Sequence, residues 1–194
     1  MPQHYRTNAA RQIPNYIGIY ALCDLDNVPI YVGQSNDGLR KRVRRHITSA
    51  RSDVIANRQI DVWEIAYIRC WQVATGDQLD SLEAHIYHFY NAQSPLMNGS
   101  IPPRPEDMDQ FVLPEFSSVR IMSEDEIVNR RRADLRLPRQ AASFSELLNY
   151  YLVVKSNDNL KLSLQAHFSR LQRHFTELLQ SGEVTEEDQF QDED

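Results

Sequence analysis

Two short segments, Gly18-Ile19-Tyr20 and Tyr31-Val32-Gly33, stand ten residues apart on either side of Asp24-Leu25-Asp26-Asn27. Residues from about Tyr16 to Leu22 alternate and are rich in Ile and Tyr, which predicts a strand. The Asp/Asn run is turn chemistry, and Val28 to Gly33 predicts the returning strand of a hairpin. Tyr20 and Tyr31 close these strands and are expected to point toward one site. Gly18 and Gly33 permit close backbone approach.

The rest of the first half builds around that hairpin. Gln34 to Gly38 reads as a loop, with Ser35, Asn36 or Asp37 available to cap the next helix. Leu39, Val43, Ile47 and Ala50 recur at helical period, and Arg40, Lys41, Arg44, Arg45 and Arg51 largely fill the rest of that helix. Ile60 to Val73 alternates with apolar groups on both faces, the pattern of a long, central, covered strand. Thr75-Gly76-Asp77 breaks it, and Leu79 to Asn91 predicts a helix with Leu82, Ile86, Phe89 and Tyr90 inward. Five Gly or Pro between Pro95 and Pro105 place a domain boundary near residue 100. The order strand, strand, helix, strand, helix predicts an α+β unit, a small three-stranded antiparallel sheet flanked by helices.

Beyond it the chain reads as a mostly helical C-terminal extension. The expected division is an N-terminal arm (1–14), a compact domain (15–100), a Pro-rich connector (101–122), a helical region (123–182) and an acidic tail (183–194). Phe111 to Ile121 has room for one short strand, and Ser123-Glu124-Asp125-Glu126 is a helix start. Ser143 begins a helix to about Val154, and Asn157-Asp158-Asn159 interrupts. Leu160, Leu164, Phe168, Leu171, Phe175 and Leu178 then mark a narrow apolar stripe. The tail after Gly182 is acidic and poor in apolar groups, a disordered composition.

The formal net charge of −6 argues against a nucleic-acid partner only until it is mapped. Residues 1–100 hold ten Lys/Arg against nine Asp/Glu, whereas 101–194 hold eleven against eighteen. Seven of those acids lie in the last twelve residues, so the body is near neutral and local clusters decide where an anion goes. Cys23 and Cys70 are isolated, which suggests neither a zinc site nor a disulfide framework. With no signal peptide or membrane-length apolar run visible, a cytoplasmic location is the expectation.

The two tripeptides, the downstream Leu39-x-x-Arg42-Val43-x-x-His46, Glu83 and Asn98 together resemble the GIY-YIG nuclease family, over roughly residues 15–100. The resemblance implies a hydrolase that cuts nucleic-acid phosphodiesters with one divalent metal, Mg2+ or Mn2+. Cleavage needs a deprotonated water, charge relief at the nonbridging oxygens and support for the leaving oxygen. Carried over, Glu83 is the single acidic metal ligand, a hard oxygen donor suited to such ions. Arg42 is the phosphate-bridging arginine. Tyr20 is the leading general base, with Tyr31 and His46 placing water or phosphate. Asn98 braces the site. The segment between Gly33 and Leu39 runs one residue longer than usual, with Gly38 the extra residue; a shifted register would put Lys41 where Arg42 is expected. Gln34 departs from the Lys of many relatives, and a neutral amide orients water or phosphate but adds no charge.

Arg40, Lys41, Arg44, Arg45 and Arg51 are expected to meet nucleic-acid backbone. His85 and His88 read as surface or supporting histidines, and Trp63 and Trp71 as core. Arg130 to Arg139 either tracks a second stretch of backbone or is a solvated helix end. The 160–178 stripe either joins two protomers or docks on its own domain. The leading expectation is a DNA endonuclease of restriction, mobile-element or phage-defence type. The alternatives are a nucleic-acid-binding module that has lost cutting and an interaction protein acting through its C-terminal helices.

Overall fold

The hairpin is closed by Asp24, whose fully buried carboxylate accepts the backbone N–H of Asp26 at 2.9 Å and of Val28 at 2.8 Å. Asn27 takes the left-handed conformation at φ 58°, which Asn tolerates in turns. In the computed structural model, which describes residues 2–48, 60–154 and 157–181, β1 (Gly18–Cys23) and β2 (Pro29–Ser35) pair antiparallel with Tyr20 opposite Gly33. Arg51, the expected helix end at Ala50 and the tail 183–194 lie outside the described residues.

β3 (Tyr67–Gln72) lies antiparallel on the other side of β1, and β4 (Ser117–Arg120) pairs with β3. The sheet order is β2-β1-β3-β4, so the expected three-stranded sheet gains a fourth strand from beyond residue 100. β1, flanked on both sides, is buried at all six positions. The strand expected over 60–73 is shorter than its alternation suggests. Asp61 accepts the Trp63 N–H at 2.9 Å and caps a 3-10 turn at Val62–Glu64, which ends the extended run early.

The alternation of β1 splits the core into two layers. Tyr20 and Leu22 join Leu39, Val43 and Ile47 of α2 (Leu39–Thr48) on one face, with Ile13, Ile68, Val119 and Ile121. Ile19, Ala21 and Cys23 meet Leu79, Ile86 and Tyr90 of α3 (Leu79–Asn91) on the other, with Trp71 and Leu96. Each fully buried aliphatic or aromatic side chain here contributes about 1.5–3 kcal/mol. The N-terminal segment begins with α1 (Pro2–Ala9), from which buried Arg6 donates to the carbonyls of Val62 and Ile65 at 3.0 Å each.

Three C-terminal helices complete the chain's described part: α4 (Glu124–Arg131), α5 (Ala133–Val153) and α6 (Asp158–Ser181). Ser123 caps α4 by accepting the Glu126 N–H, as its sequence suggests. α5 begins ten residues before the expected Ser143, running through Pro138, whose missing N–H costs a single bond near the helix start. The apolar stripe of α6 docks only at its start, where Leu160 and Leu164 pack with Leu147 of α5. Further along, Ser163, His167, Arg170 and His174 form the buried row, while Phe168 and Phe175 of the stripe, and Leu179 beside it, are 54%, 50% and 58% exposed.

The charged members of that row, with arginines of α5, meet carboxylates of the hairpin and the 3-10 turn. Arg170 of α6 pairs with Asp24; Arg136 of α5 reaches Glu64 at 3.2 Å and Asp24 at 3.5 Å; Arg139 pairs with Glu64 and Asp61. Arg131 pairs with Asp26, Arg132 with Asp134, and Arg130 with Glu126. Within the basic cluster at 130–139, Arg136 and Arg139 are thus engaged in internal ion pairs, whereas Arg131 and Arg132 at the end of α4 stay exposed to solvent.

Candidate active site

Tyr20 is fully buried, and its hydroxyl lies 2.7 Å from His46 Nε2. Tyr31 completes a triangle, with ring centroids 6.1 Å from Tyr20 and 5.9 Å from His46. The strand register brings the tyrosines to one face, and α2 lays His46 across them. Gly33 makes the room. A Cβ there would meet the Tyr20 hydroxyl at 2.6 Å and the Tyr31 ring at 2.9 Å.

Arg42 sits one helical turn before His46, half-buried, and close enough to Tyr20 for its charge to act on the hydroxyl. Lys41, the alternative register, points away and pairs with exposed Asp37 at 2.6 Å. The extra residue Gly38 is what allows this: at φ 106° it turns the chain into α2, with Asn15 packed where a Cβ would be. Burial first, then the neighbouring Tyr31, pushes Tyr20 well above the usual tyrosine value, and Arg42 opposes this only in part. At neutral pH it is a phenol.

Glu83 approaches from α3. It is half-buried and has no hydrogen bond or ion pair among the described residues. Burial, followed by the charge of Asp80, pushes its carboxyl up to about 7, with Arg42 as the opposing influence. A carboxylate left this way fits a cation. A second group of candidate ligands does not: Asp24, Asp26 and His174 lie with donor atoms within 4.8 Å of one another, but Arg136, Arg170 and Arg131 already neutralise the two acids. A cation there would face three guanidinium groups.

The supporting residues are placed by backbone bonds. Asn98 accepts the Val32 N–H at 3.1 Å and donates to the Val32 carbonyl at 2.7 Å, holding the edge of β2 as a strand would. Gly18 lies against the Trp71 carbonyl, where a Cβ would clash at 1.9 Å. Arg40 ties Ile13 through a 2.7 Å bond while Arg44 and Arg45 lie on the exposed face of α2. His85 and His88 reach Asp107 and the Pro102 carbonyl, fastening the connector to α3. Trp71 is core and donates to the Pro114 carbonyl, whereas half-buried Trp63 packs beneath the guanidinium groups of Arg6 and Arg130.

One residue that the sequence pattern does not single out is Asp80. Its Oδ1 accepts Gln34 Nε2 at 2.7 Å, and both line an open groove of about 630 Å³ with Arg42 and Arg45. Its only signal in the sequence is positional, three residues before Glu83 on one helix.

A small antiparallel sheet covered by helices on both faces, with two tyrosines and a histidine packed together on one of them, makes this an α+β domain. Residues 16–95 match the family model described as GIY-YIG catalytic domain, and this part of the chain is a GIY-YIG domain, a nuclease fold. No curated protein and no solved structure matches the chain.

Proposed function

We propose that the chain is a divalent-metal-dependent endonuclease that hydrolyses DNA, double-stranded in the first instance, in a restriction, mobile-element or phage-defence setting within the cytoplasm. The observation that carries this is the Tyr20–His46 bond of 2.7 Å, with Arg42 one turn away on the same helix. Tyr20 holds the attacking water; its oxygen takes the water proton as its own proton passes to His46 Nε2. The water oxygen bonds to phosphorus, the P–O bond to the leaving group breaks, and solvent supplies that oxygen's proton. Arg42 neutralises charge on the nonbridging oxygens, and Tyr31 orients water or phosphate. Glu83 would hold Mg2+ or Mn2+, which polarises the phosphate when bound. Arg40, Lys41, Arg44 and Arg45 face the DNA backbone.

The test is plasmid and single-stranded DNA incubated with Mg2+, Mn2+ or EDTA. Discrete products are expected that vanish in EDTA, with Glu83→Ala and Arg42→Ala each lowering the rate by about 10²–10³ or more. Metal-dependent cutting that survives Glu83→Ala sinks the site assignment. Retained DNA binding with no cutting in any condition points to the inactive binding module, the reading that the neutral Gln34 favours.

The exposed Phe168, Phe175 and Leu179 favour a homodimer through residues 160–178. Analytical ultracentrifugation is expected to show a dimer that Phe175→Glu dissociates; a wild-type monomer at high concentration removes the idea. Among the described residues no helix is long and apolar enough to cross a membrane.

A further inference from the structure

We propose that α6 is a positioning element of the site: it holds the segment 94–98 and the hairpin turn in place around β2, and Ser163 is the positioning residue through which it fixes Tyr31. The inference rests on the nuclease reading of this site. It gives a part in that site to a helix outside the matched residues 16–95.

The path runs through backbone bonds. β2 is an edge strand of the sheet, and the segment 94–98 lies along the side that β1 leaves open. The Met97 N–H donates to the Ile30 carbonyl at 2.7 Å, and Asn98 bonds both backbone groups of Val32. Tyr31 stands between these two gripped residues, so the place of its ring beside Tyr20 and His46 follows from them. α6 closes the path from outside. Fully buried Ser163 donates to the Met97 carbonyl at 3.3 Å, and Arg173 donates to the Ser94 hydroxyl at 3.4 Å. Ala166 belongs with Met97, Ile30 and Tyr20 to one core layer. One turn further along, Arg170 pairs with Asp24, which closes the turn from which β2 departs.

A helix laid along an edge already serves by covering it. A helical serine is also satisfied within its own helix, and Ser163 shares its proton with the Asn159 carbonyl, likewise at 3.3 Å. An apolar face would do as much. The row that α6 turns inward is polar instead, and its bonds end on the two stretches that flank Tyr31, the turn before it and the segment beside it. Buried polar contacts of this kind specify one arrangement, where an apolar face tolerates a slip. A misplacement of about 1 Å at a reacting group costs on the order of a hundredfold in rate, so a loosened brace on β2 reaches the chemistry.

The full chain labelled with fluorotyrosine gives a fluorine NMR resonance for Tyr31, assigned by its loss in Tyr31→Phe. Ser163→Ala removes the hydroxyl and Ser163→Thr keeps it; circular dichroism checks that each is folded. In EDTA the Tyr31 resonance is expected to move in Ser163→Ala and to return in Ser163→Thr, while that of Tyr87, in the opposite core layer, stays in place. With Mg2+ and plasmid, unlabelled Ser163→Ala is expected to lose about five- to tenfold in kcat with KM within about twofold, and Ser163→Thr to recover the rate. A Tyr31 resonance that Ser163→Ala leaves unmoved overturns the proposal and leaves the nuclease reading standing. So does a moved resonance with kcat unchanged. Wild type that cuts no DNA in any condition overturns the nuclease reading, and with it the role of the brace in catalysis, even where the resonance moves.

Discussion

Glu83 shows what a site costs a single residue. Its carboxyl is pushed up to about 7 by burial and by Asp80, so the folded protein holds a proton there that the unfolded chain has released. The native state binds more protons between the unfolded value of about 4.3 and 7, so stability falls as pH rises through that window. Glu83→Gln removes the penalty. In EDTA it is expected to melt above wild type at pH 8 and level with it at pH 5, by differential scanning fluorimetry. Wild type equal to the variant at both values would mean that the carboxylate is already compensated. Divalent metal should close the gap at pH 8 in wild type alone. Tyr20, also raised by burial, bears no such penalty in this range, because a phenol is neutral in both states below about pH 10.

At the scale of elements, the hairpin and α2 act as one device. The register sets Tyr20 opposite Gly33, and α2 presents Arg42 and His46 inward while Arg44 and Arg45 face out. The outward face has its own prediction. Arg45→Ala should weaken DNA binding and reduce the slope of log K against log salt by about 0.9 if it neutralises one phosphate. Fluorescence anisotropy over a KCl series measures this, and an unchanged slope takes Arg45 out of the contact. Much of this device is legible in the sequence because the information is local: alternation, turn residues and a helical repeat sit within thirty residues of one another. The strand expected over 60–73 falls short for a tertiary reason. Glu64 alternates correctly for a strand, but it is drawn into a buried cluster of Arg136 and Arg139 from the far end of the chain. Asp80 is not legible in the same way, because its meaning depends on Gln34, which lies 46 residues away on another element.

The whole molecule inverts the usual rule for its last two helices. Sequence alone turns the leucines and phenylalanines of α6 inward and the arginines outward; Leu160 and Leu164 comply, yet beyond them Phe168 and Phe175 are exposed and Arg170 and His174 are buried. The cause is the hairpin turn: Asp24 has to be buried to close it, and a buried carboxylate requires a cation, here supplied from 146 residues away. Arg170→Met leaves Asp24 with Arg136 at 3.5 Å as its nearest remaining buried guanidinium. Urea denaturation should show a loss of about 3–5 kcal/mol, since removing one partner strands the other. The same clamp sets an acid limit. Burial alone would raise Asp26 and Glu64, but His174 and Arg136 hold Asp26, and Arg136 and Arg139 hold Glu64, below the ordinary carboxylate range. Groups lowered on folding contribute stability that is present above their unfolded values, near about 4, and is lost as pH falls through the folded ones. Hydrogen exchange followed by mass spectrometry, corrected for intrinsic rates, should therefore show α5 and α6 losing protection below about pH 4 while β1 keeps its own. Protection lost together in β1 and α6 would mean that the clamp and the sheet unfold as one unit, and that the helices are core rather than a latched layer.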